Sequence, residues 1–451
     1  MNIRNLASKT IAFLLPPFLV GGLTVTQTVR DIMRHSEPKA ISRKQDAPEN
    51  RYPERRSLDP SKPTALFVLS AQGTEAMDLL GPWEILGASG AFNLVAAAPE
   101  RNPVATTGAL GVLPEYSFAD APAADILILP AVVDPMDQRL IQFVRARAPL
   151  AKEVVTLCEG ARLAGLAGLL EGKQVATHFI AREDMIRSYP NTRFPLGRRW
   201  IRDGNLLSSA GVTGSLDAAL ALVAAHQGQA SARGVAEKLG LTYSETGVAT
   251  REPGLRPGDR ARLILNAGFD WGRKYFGVLV APGVSELSLA SWVDSIPRTL
   301  SSRVFTVAST RRFIPSRFGL ILVPTDGLED AFPPTRFVIP SFPDAPGAVP
   351  DAAVAQWLKD FQVMTDDMRA EPPAKSLDRA FQRLSDEGAG SVTGVAARLM
   401  EYTPSIEIPT HSRDSKLYGF LVRALLLGAL GVWGFTKASH LLKRRTATTP
   451  S

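Results

Sequence analysis

The segment VVTLCEGARLAGLAGLLEGKQVATHF, residues 154–179, decides the fold prediction and holds the single cysteine of the chain, Cys158. The β-branched residues before the cysteine are typical of a buried strand, and the leucines after it recur at helical spacing. A strand followed at once by a helix is a basic unit of a parallel α/β sheet. Cys158 is therefore predicted to lie at a tight turn between a strand and the start of a helix.

A thiol at such a turn has two interpretations. Main-chain N–H groups at the start of a helix favour an anion, so a thiol there can have a lowered pKa and act as a nucleophile. The same N–H groups can stabilise an oxyanion. A lone cysteine can equally be a small, inert core residue. The residues of this segment alone leave both interpretations open for Cys158.

The pattern of apolar strands alternating with helices repeats along the chain. Residues 66–86 align with residues 276–296, a shift of 210 positions, and the same shift continues through the following strands. The second copy is shorter, has no counterpart of Cys158, and carries Ser288 where the first copy has Asp78. The sequence therefore predicts an α/β fold with parallel sheets, duplicated in tandem, with a truncated second copy.

The composition excludes several classes of protein. One cysteine in 451 residues rules out an intramolecular disulfide and a cysteine-cluster metal site. Much of the formal net charge of +7 lies in a basic, proline-containing linker, Arg30–Lys62, rather than on a folded basic face, so we expect no nucleic-acid binding. The chain has no P-loop, dinucleotide-binding glycine motif or metal-ligand cluster, so we expect no cofactor and no metal.

Both ends of the chain carry an apolar segment close to the roughly 20 residues that cross a bilayer. Residues 11–29 are predicted as an uncleaved anchor, with a cleaved signal peptide as the alternative. Residues 417–435, followed by a basic cluster, are predicted as a second transmembrane helix rather than a buried core helix. These two predictions imply a bacterial inner-membrane protein whose domains lie in the periplasm.

The predicted organisation follows from these boundaries. In order, the chain has an N-terminal basic flank, an anchor, a basic linker, the first α/β domain, the degenerate repeat, a transmembrane helix and a basic tail, at 1–10, 11–29, 30–62, 63–250, 270–405, 417–435 and 436–451.

Three separated segments resemble the ThiJ/PfpI superfamily, which is related to class I glutamine amidotransferases. Residues 154–179 resemble its nucleophile-elbow segment. AQGTEAMDLLGPWEIL (71–86) resembles its first strand-to-helix segment, and IRDGNLLSSAGVTGSLDAALALV (201–223) resembles a later stretch of the branch with isocyanide hydratases and AraC-type sensor domains. The resemblance spans about 63–245 and implies a flavodoxin-like three-layer sandwich; the second copy matches only the scaffold.

The same resemblance implies roles for individual residues. Cys158 would be the nucleophile, and the Asp78 carboxyl would hold a proton beside it and act as a general acid. Main-chain N–H groups of Glu159 and of the Ala131–Val132 region would bind an oxyanion. Glu159 replaces a small or neutral residue, and its carboxylate would disfavour a thiolate.

Two further residues keep alternative interpretations. His178 is either a base, a pocket wall or a structural histidine at a strand end. Asp217 is either a pocket residue or an acid that the dipole favours at the start of a helix.

The resemblance implies two candidate functions. The first is a membrane-anchored hydratase or hydrolase, of lyase or amidase type, that uses Cys158 on a small electrophilic molecule. The alternative is a non-catalytic, membrane-tethered module that senses a ligand or contacts a partner, related to AraC-type sensor domains but without a DNA-binding domain. The two copies are expected to pack as a pseudo-dimer within the chain, or the chain to form a homodimer.

Overall fold

The computed structural model describes residues 13–15, 52–249, 253–269, 274–300, 302–407 and 415–446. The first copy contains nine strands and six helices. In chain order they are β1 (Thr64–Val68), α1 (Ala76–Ser89), β2 (Asn93–Ala98), β3 (Val104–Ala105), β4 (Leu110–Leu113), β5 (Tyr116–Ser117), β6 (Ile126–Leu129), α2 (Gln138–Arg147), β7 (Glu153–Thr156), α3 (Gly160–Leu166), α4 (Phe179–Ser188), β8 (Trp200–Asp203), β9 (Leu206–Ser209), α5 (Gly214–Gln227) and α6 (Gln229–Leu239).

The second copy repeats the first half of this arrangement. Its elements, with the helix that precedes it and the helix that follows it, are α7 (Asp259–Phe269), β10 (Lys274–Leu279), α8 (Glu286–Ser295), β11 (Ser302–Ala308), β12 (Ile314–Pro315), β13 (Ile321–Pro324), β14 (Asp326–Gly327), β15 (Arg336–Ile339), α9 (Ala352–Asp360), β16 (Thr365–Asp367), α10 (Lys375–Leu384), α11 (Gly390–Leu399) and α12 (Ser415–Thr446).

Each copy is built on a largely parallel sheet. The first sheet has the order β5-β2-β1-β6-β7-β9-β8, with β8 antiparallel at its edge, and the second has the order β14-β11-β10-β15-β16. The side chains of β1 alternate between two apolar cores, with Phe67 in one and Leu66 and Val68 in the other. Helices therefore cover both faces of the first sheet, and the predicted α/β class with a parallel-sheet core is confirmed.

The two copies share a third sheet and one core. Strand β4 pairs antiparallel with β13, and Val112 lies opposite Leu322, which is its equivalent under the shift of 210 residues. Helices α1 and α8 also pack against each other. Because equivalent residues meet at the centre of the contact, the two copies are related by a local two-fold axis.

The second copy lacks the segment that carries the cysteine. In the first copy, residues 157–213 separate β7 from α5 and include the turn at Cys158. In the second copy, residues 368–374 alone separate β16 from α10, the helix that packs on α8 as α5 packs on α1. Both copies keep their parts of the shared sheet and of the α1–α8 helix pair, whereas the elements around the thiol are present in the first copy alone.

The predicted C-terminal membrane helix, and with it the membrane location with periplasmic domains, is wrong. No helix in the described part of the chain is both long enough and apolar enough to span a bilayer. Within α12, the uncharged stretch between Arg423 and Lys437 is shorter than the roughly 20 residues a span requires. Of the predicted N-terminal anchor at 11–29, residues 13–15 alone are among those described.

The end of the predicted linker contacts both copies. The guanidinium of Arg56 donates to the Glu115 carboxylate at 2.7 and 2.9 Å, and to the main-chain oxygen of Phe318 at 2.9 Å. Residues 52–62 therefore lie against the folded core, while residues 30–51 of the same predicted linker lie outside the described part of the chain.

Candidate active site

A strained turn places Cys158 between β7 and α3. Its φ of 55° lies in the left-handed region, which costs a non-glycine residue about 1–3 kcal/mol. Two residues later, a Cβ on Gly160 would overlap the main-chain oxygen of Leu129, so glycine is required there. The sequence prediction of a tight strand-to-helix turn at Cys158 agrees with this geometry.

Hydrogen bonds to neighbouring elements hold this turn in place. The main-chain N–H of Cys158 donates to the Ser209 hydroxyl at 3.1 Å, and the Thr177 hydroxyl donates to the main-chain oxygen of Cys158 at 3.1 Å. The main-chain N–H of Val212 is directed at the sulfur. Cys158 is 4% exposed, so the thiol lies in a buried and rigid setting.

Asp78 lies beside the thiol at the start of α1 and is fully buried. Its Oδ2 accepts a hydrogen bond from the main-chain N–H of Ala131 at 3.2 Å, and its own N–H donates to the Glu75 carboxyl at 2.7 Å. Its Oδ1 is buried and has no hydrogen-bond partner among the described residues. A buried carboxyl oxygen without a partner is the natural position for a proton that can be donated to a bound molecule.

The pKa values of the thiol and of two carboxyls near it are raised. Burial, followed by the nearby carboxyls of Asp78, Glu75 and Glu159, raises the pKa of the Cys158 thiol well above its ordinary value. Burial raises the pKa of Asp78, and burial together with the charge of Asp294 raises that of Glu75, both well above the ordinary range. For Cys158 and Asp78, both shifts favour the protonated forms of the pair, a thiol and a carboxylic acid, because burial disfavours the charged form of each group.

The second copy contributes two charged residues to this site. The guanidinium of Arg298 donates to Glu75 at 2.7 Å and to Asp294 at 2.8 and 3.0 Å. A hydrogen bond with Asp294 also contributes to the raised pKa of Glu75. Although burial disfavours its charge, Asp294 and Glu75 hold the pKa of Arg298 above its ordinary value, and Cys158 lies within reach of the same charge.

Among the predicted oxyanion donors, the main-chain N–H of Ala131 has another partner, whereas the roles of the Glu159 and Val132 N–H groups stay predictions. The N–H of Ala131 is already bonded to Asp78, and Val132 forms an antiparallel bridge with Thr74. The Glu159 carboxylate accepts from Arg162 at 2.9 Å. The Ala131 amide therefore orients the Asp78 carboxyl rather than an incoming oxygen.

His178 caps the start of α4, whereas Asp217 lies in the wall of a separate cavity. His178 is the N-cap of α4, where its Nδ1 accepts from the N–H of Ile180 at 3.4 Å, and its Nε2 lies 2.9 Å from the main-chain oxygen of Leu399. Burial lowers its pKa, so it is neutral near pH 7. Asp217 accepts from Arg199 at 2.9 and 2.7 Å and lines a separate cavity between the two copies.

Comparisons with known proteins agree with this geometry. Residues 64–225 match the DJ-1/PfpI family. Over 160 residues the chain is 32% identical to an isonitrile hydratase of Pseudomonas putida, covering 35% of this chain and 68% of that protein. The chain belongs to the DJ-1/PfpI family. The resemblance identified from the sequence motifs is thereby confirmed, and the region 64–225 is called the DJ-1/PfpI domain below.

Solved structures of similar proteins align with the DJ-1/PfpI chain over part of its length. A ThiJ/PfpI family protein from Pseudomonas syringae is 24% identical, covers 45% of this chain and 81% of its own, and has a TM-score of 0.37. An AraC family transcriptional regulator from Pseudomonas putida is 20% identical, covers 39% of this chain and 98% of its own, and has a TM-score of 0.36.

Sequence reasoning missed three residues around the thiol of the DJ-1/PfpI domain. Glu75 lies within the quoted segment 71–86, whose pattern assigns it no role, and Asp294 and Arg298 belong to the second copy. One signal could have found Asp294: the internal alignment places it opposite Glu84, so an acid recurs at the same position of both copies. Its contact with the thiol site required knowledge of how the copies pack.

Two of the cavities in the described part of the chain lie away from the thiol. The larger, about 480 Å³, is lined by both copies, and a smaller one of about 170 Å³ lies beside Arg56. Neither is lined by Cys158 or Asp78. In the described part of the chain, no three His, Cys, Asp or Glu side chains are grouped as metal ligands would be.

Proposed function

We propose that the protein is a cysteine-dependent hydratase of small isonitriles, with Cys158 as the nucleophile and protonated Asp78 as the proton donor. One observation carries the proposal: a thiol on a strained strand-to-helix turn lies beside a fully buried carboxyl whose Oδ1 has no partner. The identity of 32% to an isonitrile hydratase supports the choice of substrate class.

The protonation state of the site suits this substrate class. The terminal carbon of an isonitrile carries a lone pair and is also electrophilic, so a proton and a nucleophile both add to the same atom. A thiolate alone would supply the nucleophile but not the proton. Burial raises the pKa of both Cys158 and Asp78 and so favours their protonated forms, which supports an addition of this kind.

The proposed reaction balances as follows. Sγ of Cys158 forms a bond to the terminal carbon, Asp78 gives its proton to that carbon, and the thiol proton passes to Asp78. The product is a thioimidate, in which the carbon carries the sulfur, one hydrogen and the doubly bonded nitrogen. The oxygen of water then adds to this carbon, and one proton of the water passes to the nitrogen. The carbon–sulfur bond breaks, and the second proton of the water passes to the sulfur. The products are an N-substituted formamide and the free thiol.

The main chain around the site supports these steps. The Ala131 N–H fixes the orientation of Asp78, and Glu75 holds the N-terminus of α1 through the Asp78 N–H. Because these contacts exist before a substrate enters, little reorganisation accompanies the reaction. Burial of Cys158 keeps competing water away from the sulfur.

Conversion of a small alkyl isonitrile by the full chain tests the proposal. An isonitrile labelled with ¹³C at its terminal carbon should give a labelled formamide signal by NMR. Cys158→Ala and Asp78→Asn should each reduce the rate by at least about 100-fold. Glu84→Gln changes another buried carboxyl outside the site and is the matched control, which should retain the rate. No formamide from the wild-type chain would refute the proposal.

Ligand binding without turnover is the second candidate function, favoured by the 480 Å³ cavity between the copies. Arg199 and Asp217 in its wall are already paired with each other, and leucines of both copies complete it. A rise in unfolding temperature with isonitrile, retained in Cys158→Ala and without any formamide, would favour this function over catalysis.

A further inference from the structure

Two residues of the second copy reach the cysteine site of the first. Arg298, just after α8, donates to Glu75 at 2.7 Å and to Asp294 at 2.8 Å. Glu75 in turn accepts the main-chain N–H of Asp78 at 2.7 Å. A continuous chain of hydrogen bonds therefore runs from the second copy through Glu75 to the main-chain N–H of Asp78, the residue whose carboxyl lies near Cys158.

We propose that Arg298 and Asp294 are positioning residues for the cysteine site, acting through Glu75 on Asp78, and that the second copy was retained as a built-in partner that supplies them. The proposal deepens the proposed function and rests on it for the role of the site. Its test measures the thiol itself and needs no turnover.

The proposal rests on the charged groups around the thiol. Arg298 is the cation in contact with the carboxyls of Glu75 and Asp294. The titratable and charged groups that face the site come from four elements. They are Glu75 and Asp78 at the start of α1, Asp294 and Arg298 of the second copy, Cys158 and Glu159 in the cysteine turn, and His178 at the start of α4. One arginine thus shares its charge among several acids, and a change in either Arg298 or Asp294 alters the ionisation of the rest.

The local two-fold axis supplies a matched control. Glu84 is the equivalent of Asp294, and Ser285 is the equivalent of Glu75. Glu84 accepts from Ser285 at 2.6 Å and from Arg317 at 3.0 Å at the other end of the α1–α8 contact. This arrangement resembles the first in position and burial but has Ser288, rather than Asp78, beside it.

Alkylation of Cys158 by iodoacetamide, measured by mass spectrometry across a range of pH, tests the proposal on the full chain. Arg298→Met removes the cation, so the thiol should hold its proton more strongly and label about tenfold more slowly at a given pH. Asp294→Asn removes a competing acid, so the thiol should label about tenfold faster. Arg298→Lys keeps the charge and should restore most of the rate.

The control variants Glu84→Gln and Arg317→Met should leave the labelling profile unchanged. Opposite shifts in Arg298→Met and Asp294→Asn support the proposal, because a merely structural role would loosen the site and accelerate labelling in both. Equal profiles in all variants, or acceleration in both site variants, would overturn it. If Arg298→Met does not fold, as shown by circular dichroism, Arg298→Gln takes its place, and slower labelling is again the expected result. Opposite shifts without isonitrile turnover would refute the proposed function and leave this inference standing.

Discussion

The main-chain N–H of Ala131 donates to Oδ2 of Asp78 at 3.2 Å, and Oδ1 of the same carboxyl is left buried without a partner. This contact assigns the two oxygens different roles. One accepts a fixed hydrogen bond, and the other can carry the proton that burial keeps on the group. The amide expected from the sequence to bind an oxyanion instead orients the acid.

Alkylation of the single thiol should be slow at neutral pH. Burial and the neighbouring carboxyls raise the pKa of Cys158, so the thiolate fraction at pH 7 is small. We expect the rate with iodoacetamide to rise about tenfold for each unit of pH. The same chain unfolded in urea is the control and should label at the ordinary rate of a thiol. Faster labelling in the folded than in the unfolded chain at pH 7 would contradict the described electrostatics.

Asp78 should make the folded protein less stable as the pH rises. Its pKa is raised on folding, so above about pH 4 the unfolded state loses the proton first, and rising pH favours unfolding. Asp78→Asn removes this effect. Relative to wild type, the variant should gain about 1.4 kcal/mol in free energy of unfolding for each unit of pH over which only the folded state keeps the proton.

Urea unfolding at pH 5 and pH 8 measures this difference. Asp125→Asn is the control of opposite sign, because a hydrogen bond from Lys152 lowers the pKa of Asp125. The stability that Asp125 contributes is present above its unfolded pKa and is lost only as the pH falls through its folded pKa. Its deficit should therefore be the same at pH 5 and pH 8. A constant difference for Asp78→Asn as well would show that the carboxyl ionises normally.

Gly160→Ala should disturb the cysteine turn. The added Cβ would overlap the main-chain oxygen of Leu129, so β6 or the start of α3 must move. We expect a loss of about 1–3 kcal/mol in free energy of unfolding. Gly234→Ala, at an exposed position of α6 with no atom near the new Cβ, should instead gain about 1 kcal/mol. Equal effects of the two substitutions in urea unfolding would refute the close approach at Gly160.

The two copies should unfold as one unit. The fully buried Trp83 and Trp292 come from different copies and belong to the same apolar core. Trp292→Ala should cost about 3–5 kcal/mol. Because the core is shared, hydrogen exchange followed by mass spectrometry should show faster exchange in β1 of the first copy as well as in β10. Acceleration confined to β10 would show that the copies are independent.

The sequence could predict the elements that depend on local pattern. The β-branched run before Cys158 and the helical spacing after it were enough to predict the turn, and the shift of 210 residues revealed the duplication. The protonation state of the Cys158 thiol could not be predicted, because the helix N-terminus and desolvation act in opposite directions and burial is not known from the sequence. The contact of Arg298 with Glu75 depends on the packing of α1 against α8, which no local pattern contains.

The mass of the peptide that contains Cys158 tests the central claim most directly. The full chain is mixed with a small alkyl isonitrile, quenched with acid within seconds and digested. The account predicts that this peptide gains the whole mass of one isonitrile, and that the adduct is absent from Cys158→Ala and strongly reduced in Asp78→Asn. An unmodified Cys158 peptide at every time point, whether or not formamide is formed, would contradict the claim that this buried thiol adds to the substrate.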